Sequence, residues 1–150
     1  MAEFKLIKEI ISLSVSDTWE IAKTEWELNE IYFADEPETC LCGRFPIIEL
    51  CELKNTKNKE LAVVGNCCVK KFIGLPSDKI FQAVKRVRKD GGKGLNGEAI
   101  ELARSKNWIN EWEYNFYVDT FRKRKLSEKQ LIKRRQINEK VLFRINKDKK

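Results

Sequence analysis

The residues best suited to chemistry are five cysteines, all of which lie within positions 40–68. The chain has no histidine, so thiolates are the soft ligands that it can offer a metal ion. A structural zinc site that lacks histidine is closed by four thiolates in a tetrahedron. We expect a reducing, cytoplasmic environment, where clustered cysteines bind metal more often than they form disulfides. The cysteines therefore predict a site for Zn²⁺.

The elements around the cysteines are short and closely spaced. The C-x-C-G motif at 40–43 predicts a tight turn whose N–H groups face the sulfur atoms. Two strand-like segments, 47–53 and 61–65, flank a polar hairpin loop. A short helix is expected to begin at the Cys67-Cys68 pair and to end at Gly74. This order of knuckle, β-hairpin and helix is that of a treble-clef zinc finger.

Four motifs carry a resemblance to known proteins. They are Ala22-x-x-Glu25-Trp26-x-Leu28, Cys40-x-Cys42-Gly43, Leu53-x-Asn55 and Val64-Gly65-x-x-Cys68-Val69-x-x-Phe72. These motifs resemble those of a group of small bacterial and phage proteins with treble-clef-like zinc modules. A later element, Leu126-Ser127-x-Lys129-Gln130, recurs in the same group. The resemblance implies metal binding and a nucleic-acid context.

The resemblance assigns one late ligand and leaves another open. Its pattern places the late cysteine three residues after Gly65, at Cys68. We take Cys51 as the fourth ligand, although treble clefs more often draw both late ligands from the helix start, which leaves Cys67 as the alternative. The predicted metal ligands are therefore Cys40, Cys42, Cys51 and Cys68. The competing interpretations are that the cysteines are buried core residues or a redox pair.

Charge is distributed unevenly along the chain. Residues 1–39 carry 3 Lys/Arg against 10 Asp/Glu, whereas residues 121–150 carry 13 against 3. A basic helical tail of this kind favours a polyanionic partner such as DNA or RNA. The predicted nucleic-acid contacts are Lys70, Lys71, Arg122, Arg124, Lys129, Lys133, Arg134, Lys140 and Arg144. Tyr114 and Tyr117 could stack on bases, but core positions are the more frequent use of such residues.

The sequence divides into a module at 1–76, with an acidic helix and the zinc site, and a basic helical region at 77–150. The acidic helix is expected to be capped at Ser16 and to run to about Asn29, with Glu25 among its outward carboxylates. A short strand at Ile31–Phe33 and a turn at 34–39 are expected to follow. Further helices are expected at about 77–89, 97–106, 109–124 and 128–146, the last opened by a capping box at Ser127-x-x-Gln130. The D-G-G-K-G segment between the first two predicts a flexible break. The predicted fold class is α+β, a treble-clef-like zinc module followed by a mostly α-helical half.

Several classes of function are disfavoured. The chain has no histidine base and no phosphate-binding P-loop, and a closed four-thiolate site leaves no open position for a substrate. The sequence contains no apolar run of about 18 residues, so it predicts no membrane span. We therefore expect a non-catalytic zinc protein that binds nucleic acid, accessory to a DNA- or RNA-processing or defence complex. The alternatives are an adaptor or inhibitor that docks on a protein through the acidic helix and, more weakly, a thiol redox sensor.

Overall fold

The chain folds into two compact units, residues 1–78 and 79–150. The structure is a computed structural model, which describes the backbone of residues 2–145 and the side chains from residue 4 onward. Within that range it contains seven α-helices and one three-stranded antiparallel sheet, which confirms the α+β class. None of the described helices is both long and apolar enough to cross a bilayer.

The first unit is built around the sheet. Its strands are β1 (Trp26–Glu38), β2 (Ile47–Asn55) and β3 (Leu61–Gly65), in the spatial order β1-β2-β3. Cys51 on the central strand pairs with Ile31 on one side and with Val64 on the other. Because side chains alternate along a strand, Cys51 and Leu53 share one face, where both are fully buried. Leu50 points to the other face and anchors a second, smaller apolar cluster.

The helices of the first unit are short. They are α1 (Ala2–Ser12), α2 (Trp19–Ala22) with a following 3₁₀ turn (Lys23–Glu25), and α3 (Asn66–Cys68) with a following π-helical turn (Val69–Ile73). Leu6 and Ile10, one turn apart on α1, are fully buried, so an amphipathic stripe holds this helix in place. Gly74 ends the helical segment after α3 with a φ of +84°, at the residue that the sequence predicts.

The predicted acidic helix, capped at Ser16 and running to about Asn29, is wrong at both ends, because the α-helix begins only at Trp19. The α-helix ends at Ala22, and after the 3₁₀ turn the backbone extends into β1 at Trp26. Residues 26–34 include three aromatic residues and an isoleucine, which favour strands. Their backbone pairs with β2 from Trp26 opposite Asn55 onward. This pairing partner lies far along the chain, so helical periodicity alone does not anticipate it.

Glu25 differs most from its prediction. Its side chain is expected to face outward, whereas the structure leaves it only 1% exposed. Its carboxylate accepts hydrogen bonds from the N–H groups of Val15 and Ser16 and from the amide of Asn55, each at 2.8 Å. The Asn55 amide, followed by the two N–H groups, lowers the pKa of Glu25 against the opposing effect of burial. Glu25 therefore ties the segment before α2 to the end of β2.

The second unit is helical. Its helices are α4 (Ser77–Lys89, of which the first two residues belong to the first unit), α5 (Gly97–Ser105), α6 (Glu111–Thr120) and α7 (Glu128–Ile145). The predicted capping box opens α7, because the Ser127 N–H donates to Gln130 Oε1 and the Gln130 N–H donates to Ser127 Oγ. A second box at Asn110 and Glu113 opens α6. The predicted end of α7, residue 146, lies outside the described residues.

Buried side chains hold the D-G-G-K-G segment, which the sequence predicts to be flexible. Asn138 on α7 is 1% exposed, and its Nδ2 donates to the carbonyl oxygens of Gly91 and Lys93, both at 2.8 Å. The Tyr117 hydroxyl donates to Asn138 Oδ1 and accepts from the Leu95 N–H, both at 2.7 Å. Tyr117 is thus a fully buried core residue. The segment is a structured loop anchored to α6 and α7.

Candidate functional site

Three of the four predicted metal ligands lie together. The Sγ atoms of Cys40, Cys42 and Cys68 are all within 4.8 Å of one another, and all three residues are buried. The first two come from the knuckle between β1 and β2, and the third from α3. Thiolates around a zinc ion at about 2.3 Å are separated by about 3.8 Å, so a small contraction suffices. The cluster could therefore hold a metal ion.

The knuckle is shaped by a glycine in a left-handed conformation. Gly43 has a φ of +94°, a region that L side chains rarely adopt. Its N–H donates to the carbonyl oxygen of Cys40 at 2.7 Å, and the Cys40 N–H donates to the carbonyl oxygen of Arg44 at 2.9 Å. This closed turn brings Cys40 and Cys42 to the same side of the backbone, as the C-x-C-G motif predicts.

The Cys40 sulfur receives two backbone hydrogen bonds. The Cys42 N–H donates to it at 3.4 Å and the Gly65 N–H at 3.2 Å. A Cβ on Gly65 would lie 3.1 Å from Ile47 Cδ1 and 3.5 Å from Cys40 Sγ, so a side chain here would force Ile47 to shift beside the Cys40 sulfur. Donors of this kind orient a thiolate and stabilise its charge.

The contact between Cys40 and Cys68 shifts the pKa values of their two thiols in opposite directions. The hydrogen bond from Cys68 lowers the pKa of Cys40 to about 5, against burial and with help from the two N–H donors. The same contact with Cys40, together with burial, raises the pKa of Cys68. A metal cation would displace the Cys68 proton and pair with a thiolate that is already favoured at Cys40. This donor set suits a soft or borderline cation.

The cysteine cluster opens on a cleft of about 440 Å³, which Cys67 also lines. Asn66, at the start of α3, braces one wall of the cleft. Its Nδ2 donates to Glu49 Oε1 at 3.0 Å and to Asp78 Oδ1 at 3.1 Å, while its Oδ1 accepts from the Ser77 hydroxyl at 2.7 Å. These hydrogen bonds fix the residue two positions before Cys68, and so they help to place the third ligand.

Cys51 is not part of the cluster. It is fully buried on β2, and burial raises the pKa of its thiol to about 12 in spite of a hydrogen bond with Ser77. Cys67 likewise lies outside the cluster, but it is exposed and lines the cleft. All five cysteines are free thiols. The assignment of Cys51 as fourth ligand stays a prediction, and Cys67 is the remaining thiol that faces the cleft.

The predicted nucleic-acid contacts fall in three places. Lys70 and Lys71 lie on the π-helical turn of the first unit, where Lys70 forms an ion pair with Asp78 at 3.3 Å. Arg122 and Arg124 lie in the exposed segment between α6 and α7. The remaining five, Lys129, Lys133, Arg134, Lys140 and Arg144, lie on α7.

Three of the α7 cations share one groove. Lys133, Lys140 and Arg144 line a groove of about 700 Å³, together with the aromatic residues Trp108 and Phe143 and one carboxylate, Glu139. Phe143 is 53% exposed. Neither aromatic residue is among the contacts that the sequence predicts. Helical spacing could have identified Phe143, because positions 133, 140, 143 and 144 fall on one face of a helix.

Lys140 is held in the groove by a buried carboxylate. Its Nζ lies 2.5 Å from Oε2 of Glu113, whose side chain is almost fully buried. Although burial favours the protonated carboxyl, Lys140 and the Asn110 N–H lower the pKa of Glu113 below its ordinary value. The side chain of Lys133 is held by a cation–π interaction, with its Nζ 5.0 Å from the ring centre of Trp112.

Arg124 and Arg134 line a second cleft, of about 510 Å³, on the same unit. Arg134 is buried, and its Nη2 donates to the carbonyl oxygen of Thr120 at 2.8 Å. Its guanidinium carbon also lies 5.6 Å from the ring centre of Tyr117. Arg134 therefore contributes charge from the floor of a cleft and is not an exposed contact on a helix face.

Comparison of this chain with protein-family models, curated proteins and solved structures finds no match. The class of the protein therefore rests on its fold, its cysteine cluster and its basic clefts alone. It is an α+β protein with a three-cysteine cluster in its first unit and basic clefts in its second. The resemblance to small bacterial and phage zinc-module proteins stays a prediction.

Proposed function

We propose that this protein is a non-catalytic zinc protein that binds single-stranded nucleic acid through its second unit. The groove that Lys133, Lys140 and Arg144 share with Trp108 and Phe143 carries this proposal. Cations neutralise phosphates, and accessible aromatic rings stack on unpaired bases. A groove that offers both suits a single strand better than a duplex, whose bases are already stacked.

The zinc ion has a structural role in this proposal. Cys40, Cys42 and Cys68 supply three thiolates, and Cys67 completes the tetrahedron from the edge of the cleft. The succession of knuckle, β2–β3 hairpin and α3 supports a treble-clef-like module. Four thiolates close the coordination sphere, so the metal stabilises the fold and activates no water.

Elemental mass spectrometry of the purified chain tests the metal site. We expect one zinc per chain, which Cys40→Ser and Cys68→Ser remove and Cys67→Ser weakens. Cys51→Ala is the matched control and should keep the metal, because Cys51 lies in the core outside the cluster. Loss of zinc from Cys51→Ala with retention in Cys67→Ser would instead establish Cys51 as the fourth ligand. A folded wild-type protein without metal would contradict the zinc proposal.

Calorimetric titration with a single-stranded DNA or RNA of about 12 nucleotides tests the groove. We expect the affinity to fall about tenfold or more over a fourfold rise in salt concentration, because bound phosphates release counterions. Lys133→Gln and Arg144→Gln should each lower the salt dependence. Phe143→Ala should cost about 1–3 kcal/mol through the loss of one stacked base.

The matched control for the charge variants is Lys57→Gln, which removes an exposed charge from the hairpin loop of the first unit. It should bind as the wild type does. Absence of binding to any single strand, or affinity that salt leaves unchanged, would contradict the proposal. Either result would favour the adaptor function, in which the protein docks on another protein.

A further inference from the structure

The second cleft concentrates more positive charge than the groove does. It lies between the loop at 90–94, the segment at 121–126 and α7. Among the described residues, its cationic lining consists of Lys93, Lys123, Arg124, Lys125, Arg134 and Arg135. Asp90 is the one acidic residue of that lining, and it faces Arg135 at 4.0 Å in an exposed, weak pair. Most of the positive charge is therefore not compensated by the cleft itself.

Arg134 is the strongest indication of a ligand. It is 6% exposed, and no carboxylate of the described residues lies within ion-pair distance of its guanidinium. Its Nε is buried and has no hydrogen-bond partner among the same residues. A buried charge is costly unless an opposite charge or a full set of hydrogen bonds accompanies it. The Arg134 guanidinium contacts one carbonyl oxygen, that of Thr120, and one aromatic ring, that of Tyr117. Its environment among the described residues therefore lacks an anion.

The exposed cations of the cleft are also available to a ligand. Among the described residues, the side chains of Lys93, Lys123, Arg124 and Lys125 form no ion pair. The loop that carries Lys93 is anchored by Asn138 and packs closely on α7. A Cβ on Gly92 would lie 2.9 Å from Arg135 Nη2, so the loop backbone lies close to this arginine side chain. The cations therefore surround the cleft before any ligand arrives.

We propose that this cleft binds a phosphate group with a charge near −2, such as the phosphomonoester or diphosphate of a nucleotide. A terminal phosphate carries about −1.5 to −2 at neutral pH, whereas each internal phosphodiester carries a single charge. Several cations lining one open cleft match the more highly charged group, and arginine can contact it through two N–H donors. The phosphate belongs to the end of the bound strand, a source that rests on the proposed nucleic-acid function.

Calorimetric titration of the intact, zinc-loaded protein with inorganic pyrophosphate tests the cleft without nucleic acid. We expect one site per chain and a melting temperature that rises with pyrophosphate concentration. The double variant Arg124→Gln/Lys125→Gln should weaken binding by about tenfold or more, because it removes two charge-assisted contacts. Both residues are exposed, so the variant is expected to fold.

The matched control is Lys79→Gln/Lys85→Gln, which removes two exposed charges on α4 outside both the cleft and the groove. It should bind pyrophosphate within about twofold of the wild type, because distant charges are screened by salt. Equal weakening in both double variants would indicate general attraction by a basic surface and would overturn the proposed site. Failure of the wild type to bind pyrophosphate would also overturn it.

Two further titrations identify the source of the phosphate and separate this inference from the proposed function. A single strand with a 5′-phosphate should bind more tightly than the same strand with a 5′-hydroxyl, and Arg124→Gln/Lys125→Gln should abolish the difference. If pyrophosphate and ADP bind but neither strand does, the nucleic-acid function is wrong and the cleft is a site for free nucleotides. If both strands bind equally and pyrophosphate does not, the groove proposal stands and the cleft proposal is wrong.

Discussion

Glu25 and its partners illustrate what a single buried carboxylate contributes to this fold. Its three donors lie 9, 10 and 30 residues away in the sequence, at Ser16, Val15 and Asn55. The sequence motifs include both Glu25 and Asn55, but nothing in their spacing indicates that the two side chains meet. The Oδ1 of Asn55 also accepts hydrogen bonds from the N–H groups of Lys57 and Asn58. The side chain that binds Glu25 therefore also stabilises the hairpin loop.

The lowered pKa of Glu25 predicts an acid-sensitive contribution to stability. An ordinary glutamate in the unfolded chain has a pKa of about 4.3. The folded pKa is lower, so the ionised form stabilises the fold fully above about pH 4.5. This contribution is lost as the pH falls through the folded pKa. Melting temperatures measured between about pH 6 and pH 3 should therefore decline in the wild type and decline less in Glu25→Gln.

Glu27→Gln is the control for this prediction, because Glu27 is a neighbouring exposed carboxylate on β1. Its melting temperature should follow the wild type across the same range. If Glu25→Gln keeps the full acid dependence of the wild type, then Glu25 is not the group whose protonation destabilises the fold.

The cysteines mark how far residue types and spacing could locate the candidate site. Cys40 and Cys42 come from a local turn, and Cys68 from a motif anchored on Gly65, so short-range patterns were sufficient for all three. Cys51 depends on strand parity, because the alternation along β2 places it in the core beside Leu53. Sequence proximity to other cysteines does not reveal which face of a sheet a residue occupies.

At the scale of elements, the sequence predicted those whose signals are local. The boundaries of α4, α5 and α7 follow from apolar periodicity and from a capping box. Of β1, only Ile31–Phe33 was predicted as a strand, because residues 26–29 satisfy a helical pattern equally well and Pro37 indicates a turn. The hydrogen bonds with β2 decide between the two, and they exist only in the folded chain. Tertiary pairing overrides local propensity here.

The loop at 90–94 shows the same limit from the other direction. Three glycines in five residues predict flexibility, yet the loop carbonyls are bound by Asn138. Asn138 lies more than forty residues later on α7. The backbone at Gly92 lies against Arg135 and Leu131, and a Cβ there would force the ends of these side chains to shift. The composition therefore reflects close packing in this loop.

Asn138→Ala should destabilise the second unit and loosen this loop. The substitution removes the partner of two carbonyl oxygens and of the Tyr117 hydroxyl, and each buried group left unsatisfied costs about 1–3 kcal/mol. Urea unfolding would measure the loss, and hydrogen exchange at residues 91–95 would report the loosening. Gln136→Ala, an exposed change on the same helix, should alter neither. Unchanged exchange in Asn138→Ala would show that the clamp does not order the loop.

At the scale of the whole molecule, the two candidate functions lie in different compact units. The cysteine cluster belongs entirely to residues 1–78, whereas the groove and the second cleft belong entirely to residues 79–150. The uneven charge of the sequence follows the same division. In our proposals, therefore, the metal stabilises one unit and the other unit binds phosphate.

Removal of zinc should affect the first unit selectively. Structural zinc contributes on the order of 10 kcal/mol to small zinc modules, so a chelator should raise hydrogen exchange at residues 40–73 by about a hundredfold or more. Amides in α5, α6 and α7 should keep their protection, because these helices have a core of their own. The chelator saturated with zinc beforehand is the control. Equal loss of protection in both units would contradict a zinc ion that supports only the first.

Each unit contains two tryptophans, which lie in different environments and so affect the fluorescence of the protein. Trp19 and Trp26 belong to the first unit, and Trp108 and Trp112 to the second. Trp26 is shielded, with its Nε1 donating to the Ser14 hydroxyl at 2.9 Å, whereas Trp112 is 59% exposed beside Lys133. A shielded indole fluoresces at shorter wavelength than a hydrated one. The emission spectrum of the unlabelled protein is therefore expected to combine a blue component from Trp26 in the first unit with a red component from Trp112 in the second.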